Sequence, residues 1–255
     1  METKINIRGY IGENCKRYFT IPAYQRGFKW GVPNADGDND AAILLADILD
    51  AMQAKKEEYF IQGVTVYEKE NEIILIDGQQ RTTTLFLMLN ELMTHDEKDK
   101  YLFFDDNFKL KYKIRQSSHD YLSAICNDLE YSGDHNTQDI FYFKEAQKQI
   151  SGKIGSKDKE KIKEYILDKV MLFYIKVPED QAANVFSMLN GAKAFMKTDE
   201  LIKSDFLCKA SYCDNIIENK NTPSTIDEID CKTLEQLSDF YEETVVLIKC
   251  TVCNH

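Results

Sequence analysis

Residues 73–92 read IILIDGQQRTTTLFLMLNEL. The apolar run Ile73, Ile74, Leu75 and Ile76 suits a buried strand. Asp77-Gly78-Gln79-Gln80-Arg81 interrupts it, and three threonines then lead into an apolar run of helical length. Strand, polar loop, helix is an order with chemical consequences. The first-turn N–H groups of a helix have no intrahelical partner and carry the positive end of its dipole, so such a corner accepts a phosphate. Asp77 at the strand end can hold a metal ion or activate water. Gly78 permits a turn or the close approach of a ligand, and Arg81 can grip two phosphate oxygens. Gln79 and Gln80 add neutral donors and acceptors. The same string also serves as a plain strand-to-helix turn, with Asp77 and Thr82 capping the helix and Arg81 in a surface ion pair. Spacing alone leaves both readings open.

A chain of 255 residues can bury a substantial core in one large domain, or in a core domain with a helical appendage. Only four prolines and eleven glycines accompany 43% hydrophobic residues, which excludes collagen-like and linker-rich classes. No run has the length of a membrane span, and METKINIRGY is not a signal peptide, so a cytoplasmic protein is expected. Seven cysteines at irregular spacings then read as reduced thiols. A net charge of −11 argues against a surface that coats nucleic acid, although a local basic patch is compatible with it.

Upstream, alternation predicts short strands over residues 4–12 and 17–21. IPAYQRGFKWG follows, with Tyr24, Gln25 and Arg26 as candidate site residues: an aromatic for a base and a guanidinium for phosphate. The commoner fate of such residues is to cover a core edge or to face solvent. VPNADGDND resembles a calcium loop only superficially, because no glutamate stands in register at the twelfth position. It is expected to be a flexible surface loop. Asn39 or Asp40 caps a helix to about Lys56, with Leu44, Ile48 and Met52 on its core face. YFIQGVTVY is a strand whose Gly63 marks a bulge or close approach, placed beside the Asp77 loop. The helix after Arg81 runs to about Met93, and THDEKDK is an exposed turn.

FKLKYKI, from Phe108 to Ile114, alternates as a half-buried strand with outward lysines. Helices are predicted from a Ser117/Asp120 capping box, over 140–150, and over 156–168, the last with a solvated, mixed-charge lysine face. VMLFYIKV at 170–177 returns to the sheet as a buried strand. A helix from Glu179 carries Ala182, Val185, Phe186 and Leu189 and closes at Asn190-Gly191. Further helices begin at Thr198 and Leu234. As capping residue and surface lysine, Asn190 and Lys203 have ordinary explanations.

Taken together, IPAYQRGFKW, FIQG, IDGQQRTTTL and FSMLNGAKAFMKTDELIKS resemble, in order, the GmrS-like, DGQQR-motif family: the nucleotide-hydrolysing halves of modification-dependent (type IV) restriction systems and related phage-defence proteins. The resemblance spans roughly residues 5–207. It implies an α+β fold similar to the ParB/sulfiredoxin group, with a small mixed sheet and a large helical extension. The chain then divides into a DGQQR domain over 1–210 (α/β core 1–95, mainly helical part 96–210) and a helical tail over 211–255.

By position, the resemblance makes Asp77, Gln79, Gln80 and Arg81 catalytic, with Asp77 also the metal ligand. It assigns Tyr24, Gln25, Arg26, Gly78, Thr82, Asn190 and Lys203 to nucleotide binding. A nucleoside triphosphate (GTP, ATP or CTP) with Mg2+ is implied, as is a nuclease of the HNH type that cuts modified DNA. Met196 stands where leucine is usual in the family. No G-x-x-x-x-G-K-[ST] string occurs, which excludes a Walker-type site. The four histidines (His95, His119, His135, His255) do not form an HNH arrangement, so the nuclease is expected from a separate subunit or domain. The closing CTVCNH, with Cys250, Cys253 and His255, is half of a metal site and is read as free thiols. A non-catalytic DNA-sensing module and a nuclease acting through the DGQQR loop are the alternatives. Self-association into a homo-oligomer stays open. The geometric expectation is sharp: Asp77, Arg26 and Asn190 converge on one site.

Overall fold

The computed structural model describes residues 2–193. Strand β1 (Glu2–Asn6) runs into a short helix α1 (Ile7–Ile11), and β2 (Tyr18–Ile21) leads through a long loop to α2 (Asp40–Gln53). The hairpin β3 (Tyr59–Lys69) and β4 (Glu72–Asp77) feeds α3 (Gln79–Leu92). Next come α4 (His95–Leu102), the small strands β5 (Phe103–Phe104) and β6 (Asn107–Phe108), and β7 (Leu110–Tyr112). Helices α5 (Gln116–Cys126), α6 (Gln138–Ile154) and α7 (Lys159–Lys169) precede β8 (Val170–Lys176), a turn of 3-10 helix (Glu179–Gln181) and α8 (Ala182–Lys193).

Six strands form one mixed sheet in the order β1-β8-β3-β4-β2-β7. The returning strand β8 slots between β1, antiparallel to it, and β3, parallel to it. β4 pairs antiparallel with β3 and parallel with β2, so the DGQQR loop leaves the middle of the sheet. The fold is α+β, as the family resemblance implied. Alternation along β4 divides the protein into two layers. Leu75 joins the main core with Phe19, Phe86, Leu89, Phe143 and Ile166, whereas Ile76 joins Ala182 and Phe186 in a smaller cluster under α8.

Several local expectations give way to tertiary packing. Residues 7–11 form a helix and not a continuation of β1, with the Asn6 side chain accepting from Gly9 N–H. THDEKDK is α4, started by a Thr94/Glu97 capping box. α5 begins at Gln116 without a side-chain cap from Ser117; Asp120 instead accepts from Gln116. The buried face of α2 uses Leu45 and Ile48, with Leu44 and Met52 only flanking it. The acidic loop is pinned by a Pro33–Asn39 bridge and by Gln149, which contacts both Asn39 N–H and the Gly37 carbonyl. β8 is central, yet Phe173 on its second face is exposed. Lys163 is buried and paired with Glu97 and Glu160. α8 continues through Asn190-Gly191 to Lys193. The helices expected at Thr198 and Leu234, and the 211–255 tail, lie outside the described residues.

The alternation of FKLKYKI conceals the largest departure. The expected strand breaks at Lys109, whose side chain is only 1% exposed. Its ammonium donates to the carbonyls of Tyr101 (2.8 Å), Ile11 (3.2 Å) and Gly12 (3.2 Å), tying the ends of α4 and α1 together. Burial pushes its pKa down from 10.5 to about 8. A lysine whose pKa falls on folding penalises the fold while charged, so the penalty is full below pH 8 and fades as pH rises towards 10.5. Relative to Lys109→Met, the wild-type protein should therefore gain roughly 2–3 kcal/mol of unfolding free energy between about pH 7 and pH 10. Urea midpoints of the two proteins across that range measure the difference.

Candidate functional site

At the end of β4 the backbone turns sharply at Gly78, which has φ +96° and serves as the helix N-cap without a side-chain hydrogen bond. A Cβ at Gly78 would lie 2.6 Å from Val64 Cγ1, so both conformation and space require glycine. The first turn of α3 contains no acidic residue, leaving the positive end of its dipole uncompensated from within the turn. Thr82 does not face this corner. It is fully buried, donates to the Gly78 carbonyl (3.0 Å) and meets the Tyr10 hydroxyl at 3.0 Å. Its hydroxyl belongs to the core side of the helix.

The upstream motif lies directly against the DGQQR loop, joined to it by three glutamines. Gln25 Nε2 donates to the Ile76 carbonyl at 2.6 Å. Gln79 Nε2 donates to the Arg26 carbonyl and Gln80 Nε2 to the Gly27 carbonyl, both at 2.9 Å. Gln80 Oε1 accepts from Lys29 N–H at 2.8 Å and, more weakly, from Trp30 N–H at 3.3 Å. Beneath the loop, a Cβ at Gly27 would fall 2.1 Å from Asp139 Oδ1. Asp139 is itself buried, accepting from Ser118 (2.9 Å) and paired with buried Arg115 (3.5 Å). Tyr24 packs its ring on Phe186 of α8, with centroids 4.7 Å apart.

Arg81 is the hinge of the corner. Its Nη1 donates to Gln62 Oε1, and Nη2 reaches the Gly63 carbonyl at 2.7 Å and Asp77 Oδ2 at 3.4 Å. Its Nε is buried without a partner among the described residues. The Asp77 contact is longer than the 2.7–2.9 Å usual between charged partners. The side chain is 11% exposed against 30% for Asp77, so the ion pair is half-buried and not a surface bridge. Gly63 sits where β3 shifts register against β8, beside Gln62 at φ +73°. That bulge turns a strand carbonyl towards the guanidinium, and the glycine within YFIQGVTVY was its signal in sequence.

Asp77, Gly78, Gln79, Gln80 and Arg81 thus share one corner with Gln25 and the backbone of Arg26, whose side chain is exposed. Asn190 follows Phe186 by one helical turn along α8, and its side chain lies outside the described residues, as does Lys203. The expected third wall is established only as far as Phe186. Sequence reading missed Gln62 as a partner of Arg81, the Lys29 and Trp30 amides that hold Gln80, and the support of Gly27 by Asp139. Nothing in the residues near Asp139 signals that role, because the contact depends on α6 packing beneath the loop. Among the described residues no group of three or more His, Cys, Asp or Glu gathers as a metal site, and Cys250, Cys253 and His255 lie outside them. No helix of the described residues is long and apolar enough to cross a membrane.

A family model described as the GmrSD restriction endonuclease, N-terminal domain, matches residues 7–207. The chain belongs to this family. The match takes in the upstream motif, the DGQQR loop and α8, and it places the protein in type IV restriction. A search of curated proteins gives no match.

The glutamine lattice can be tested directly. Gln80→Ala removes the side-chain partner of a carbonyl and of the Lys29 amide, at about 1 kcal/mol per lost bond and more if the buried groups stay unpaired. A loss of roughly 2–3 kcal/mol in stability is expected, with faster amide exchange confined first to residues 26–30. Gly27→Ala should cost at least as much, because the methyl displaces the Asp139 carboxylate from its buried partners. Thermal melts and hydrogen exchange of both variants provide the measurements.

Proposed function

We propose that this chain is the nucleoside-triphosphate-binding and hydrolysing module of a type IV restriction system with an anti-phage role, regulating a partner nuclease. The observation that carries the reading is Arg81: a guanidinium 11% exposed, held on the Gly63 carbonyl beside Asp77, in the first turn of a helix that has no acidic residue in that turn. This combination fits an anion that brings its own oxygens. Phosphate oxygens would accept from Arg81 and from the N–H groups at the start of α3, while the exposed Arg26 side chain reaches outer phosphates.

Asp77 is a single carboxylate, and a single carboxylate suits Mg2+, which keeps several waters and takes other ligands from substrate phosphates. When bound, Mg2+ would supply charge neutralisation to the phosphates. The chain's own residues do the rest. Arg81 stabilises charge on the transferring phosphoryl group, and Asp77 orients the attacking water. Because both glutamines donate to the upstream loop, and Gln80 also accepts from it, Gln79 and Gln80 act at least in part by fixing Arg26 and Lys29 in place. Tyr24, packed on Phe186, would take the base, and the family motif assigns Asn190 and Lys203 to the same nucleotide. GTP, ATP and CTP are candidate substrates. A ParB/sulfiredoxin-like fold, a cytoplasmic location and a separately supplied HNH-type nuclease acting on modified DNA belong to the same reading.

The single carboxylate also favours a second reading, a DNA-sensing module that binds without turnover. A panel of nucleoside triphosphates with magnesium, read as both binding and phosphate release, separates the two. Asp77→Ala and Arg81→Ala should each lower phosphate release by about a hundredfold or more, in the range of a lost transition-state contact. Thr82→Val should leave turnover within a fewfold. Unchanged turnover in both of the first two variants rejects the hydrolytic assignment, and binding to DNA but to no nucleotide selects the second reading.

A further inference from the structure

Gln62 lies within β3 at φ +73°, a left-handed conformation that few side chains other than glycine or asparagine adopt. Phe60 is level with Met171 of β8 and Gly63 with Phe173, so Ile61 and Gln62 together oppose Leu172. This is a bulge. Ile61 keeps its place in the core at 5% exposure, and the extra residue turns Gln62 outward, where its side chain is exposed. Strained backbone of this kind persists where the surrounding structure holds it for a use.

The use is set by the partner that Gln62 meets. A guanidinium donates and cannot accept, so the end of the Gln62 amide that faces Arg81 must be its oxygen, and Oε1 accepts from Arg81 Nη1. The amide nitrogen then faces away. Nε2 carries two N–H donors with no partner among the described residues. The other groups on the head of Arg81, the Gly63 carbonyl and the Asp77 carboxylate on Nη2, are both partly covered, which makes Gln62 the exposed member of the set. A neutral amide pinned by its oxygen thus presents donors beside the guanidinium and adds no negative charge.

We propose that Gln62 is a further phosphate-binding residue of the DGQQR corner, its Nε2 donating to an oxygen of the anion that Arg81 holds. The proposal rests on the reading that this corner takes a phosphate, and it does not depend on turnover. Glutamate at this position would keep the bond to Arg81 but turn a charged acceptor towards the anion. Lysine would do the reverse, keeping a donor and losing the acceptor that Arg81 meets. The two changes separate a residue that binds the ligand from one that only braces Arg81.

Tripolyphosphate with magnesium, which carries the phosphate chain without base or sugar, is the probe for the full chain, read by calorimetry and by the NMR signals of the Gln62 side-chain amide. Saturable binding is expected, with the amide protons moving downfield as the site fills. Gln62→Gly should weaken binding by about tenfold or more, the share of a hydrogen bond to a charged group, while the melting temperature does not fall because glycine suits a positive φ. Gln62→Glu should weaken it further, and Gln62→Lys should bind within a fewfold of wild type. Equal affinity in Gln62→Gly, loss of binding in Gln62→Lys or an unmoved amide signal overturns the proposal and leaves phosphate binding by Arg81 standing. Absence of binding in the wild type, or unchanged binding in Arg81→Ala, overturns both. Binding that depends on Gln62 without phosphate release from any nucleoside triphosphate supports the proposal and rejects hydrolysis alone.

Discussion

The backbone from Arg26 to Trp30 crosses the protein without a strand or helix to pair with, and its polar groups still need partners. Gln79 and Gln80 provide them, from the first turn of α3. Gln25 closes the lattice from the other side by donating to the last carbonyls of β4. Each glutamine amide offers both a donor and an acceptor, which neither a carboxylate nor an ammonium can do. The corner can therefore remain free of extra charge around Arg81. Buried Arg115 and Asp139 extend the support below Gly27, so the upstream motif is held on both faces.

The sheet was legible wherever a strand obeys one simple pattern. The apolar runs of β4 and β8, and the glycine within β3, announced a central strand, a returning strand and a bulge. The corner was legible to the same degree, since Asp77, Gly78 and Arg81 occupy the positions that strand-to-helix geometry dictates. What the residues did not reveal was direction. Thr82 and Gln80 are both polar and both in the first turn, yet one meets Tyr10 in the core and the other meets the Lys29 amide. Which polar side chain turns inward depends on neighbours distant in sequence. Lys109 shows the same limit: alternation assigned it to solvent, and three carbonyls from α1, its following residue and α4 drew it inward. THDEKDK was too polar to register as a periodic helix, although its capping box was present in the letters.

Two kinds of buried cation coexist in this acidic chain. Lys163 is buried beside two carboxylates and keeps its charge: desolvation lowers its pKa, but the hydrogen bonds it donates to Glu160 and Glu97 outweigh that and leave it raised. Lys109 meets only carbonyl dipoles and is held near the point of losing its proton. Arg81 belongs to neither class. It is half-satisfied by Gln62, Gly63 and a long contact to Asp77, with one donor left over.

The position of β8 governs how the molecule can be made. Ile5 pairs with Leu172, and Gly63 with Phe173, so the strand that joins β1 to the rest of the sheet is the last of the six to leave the ribosome. Until then β1 has no partner in the sheet and one edge of β3 is open, a state in which exposed strand edges invite wrong pairing. Any fragment ending before residue 170 would carry the complete DGQQR string on a sheet lacking a central strand. The motif and the scaffold that gives it shape are thus separated in time as well as in sequence.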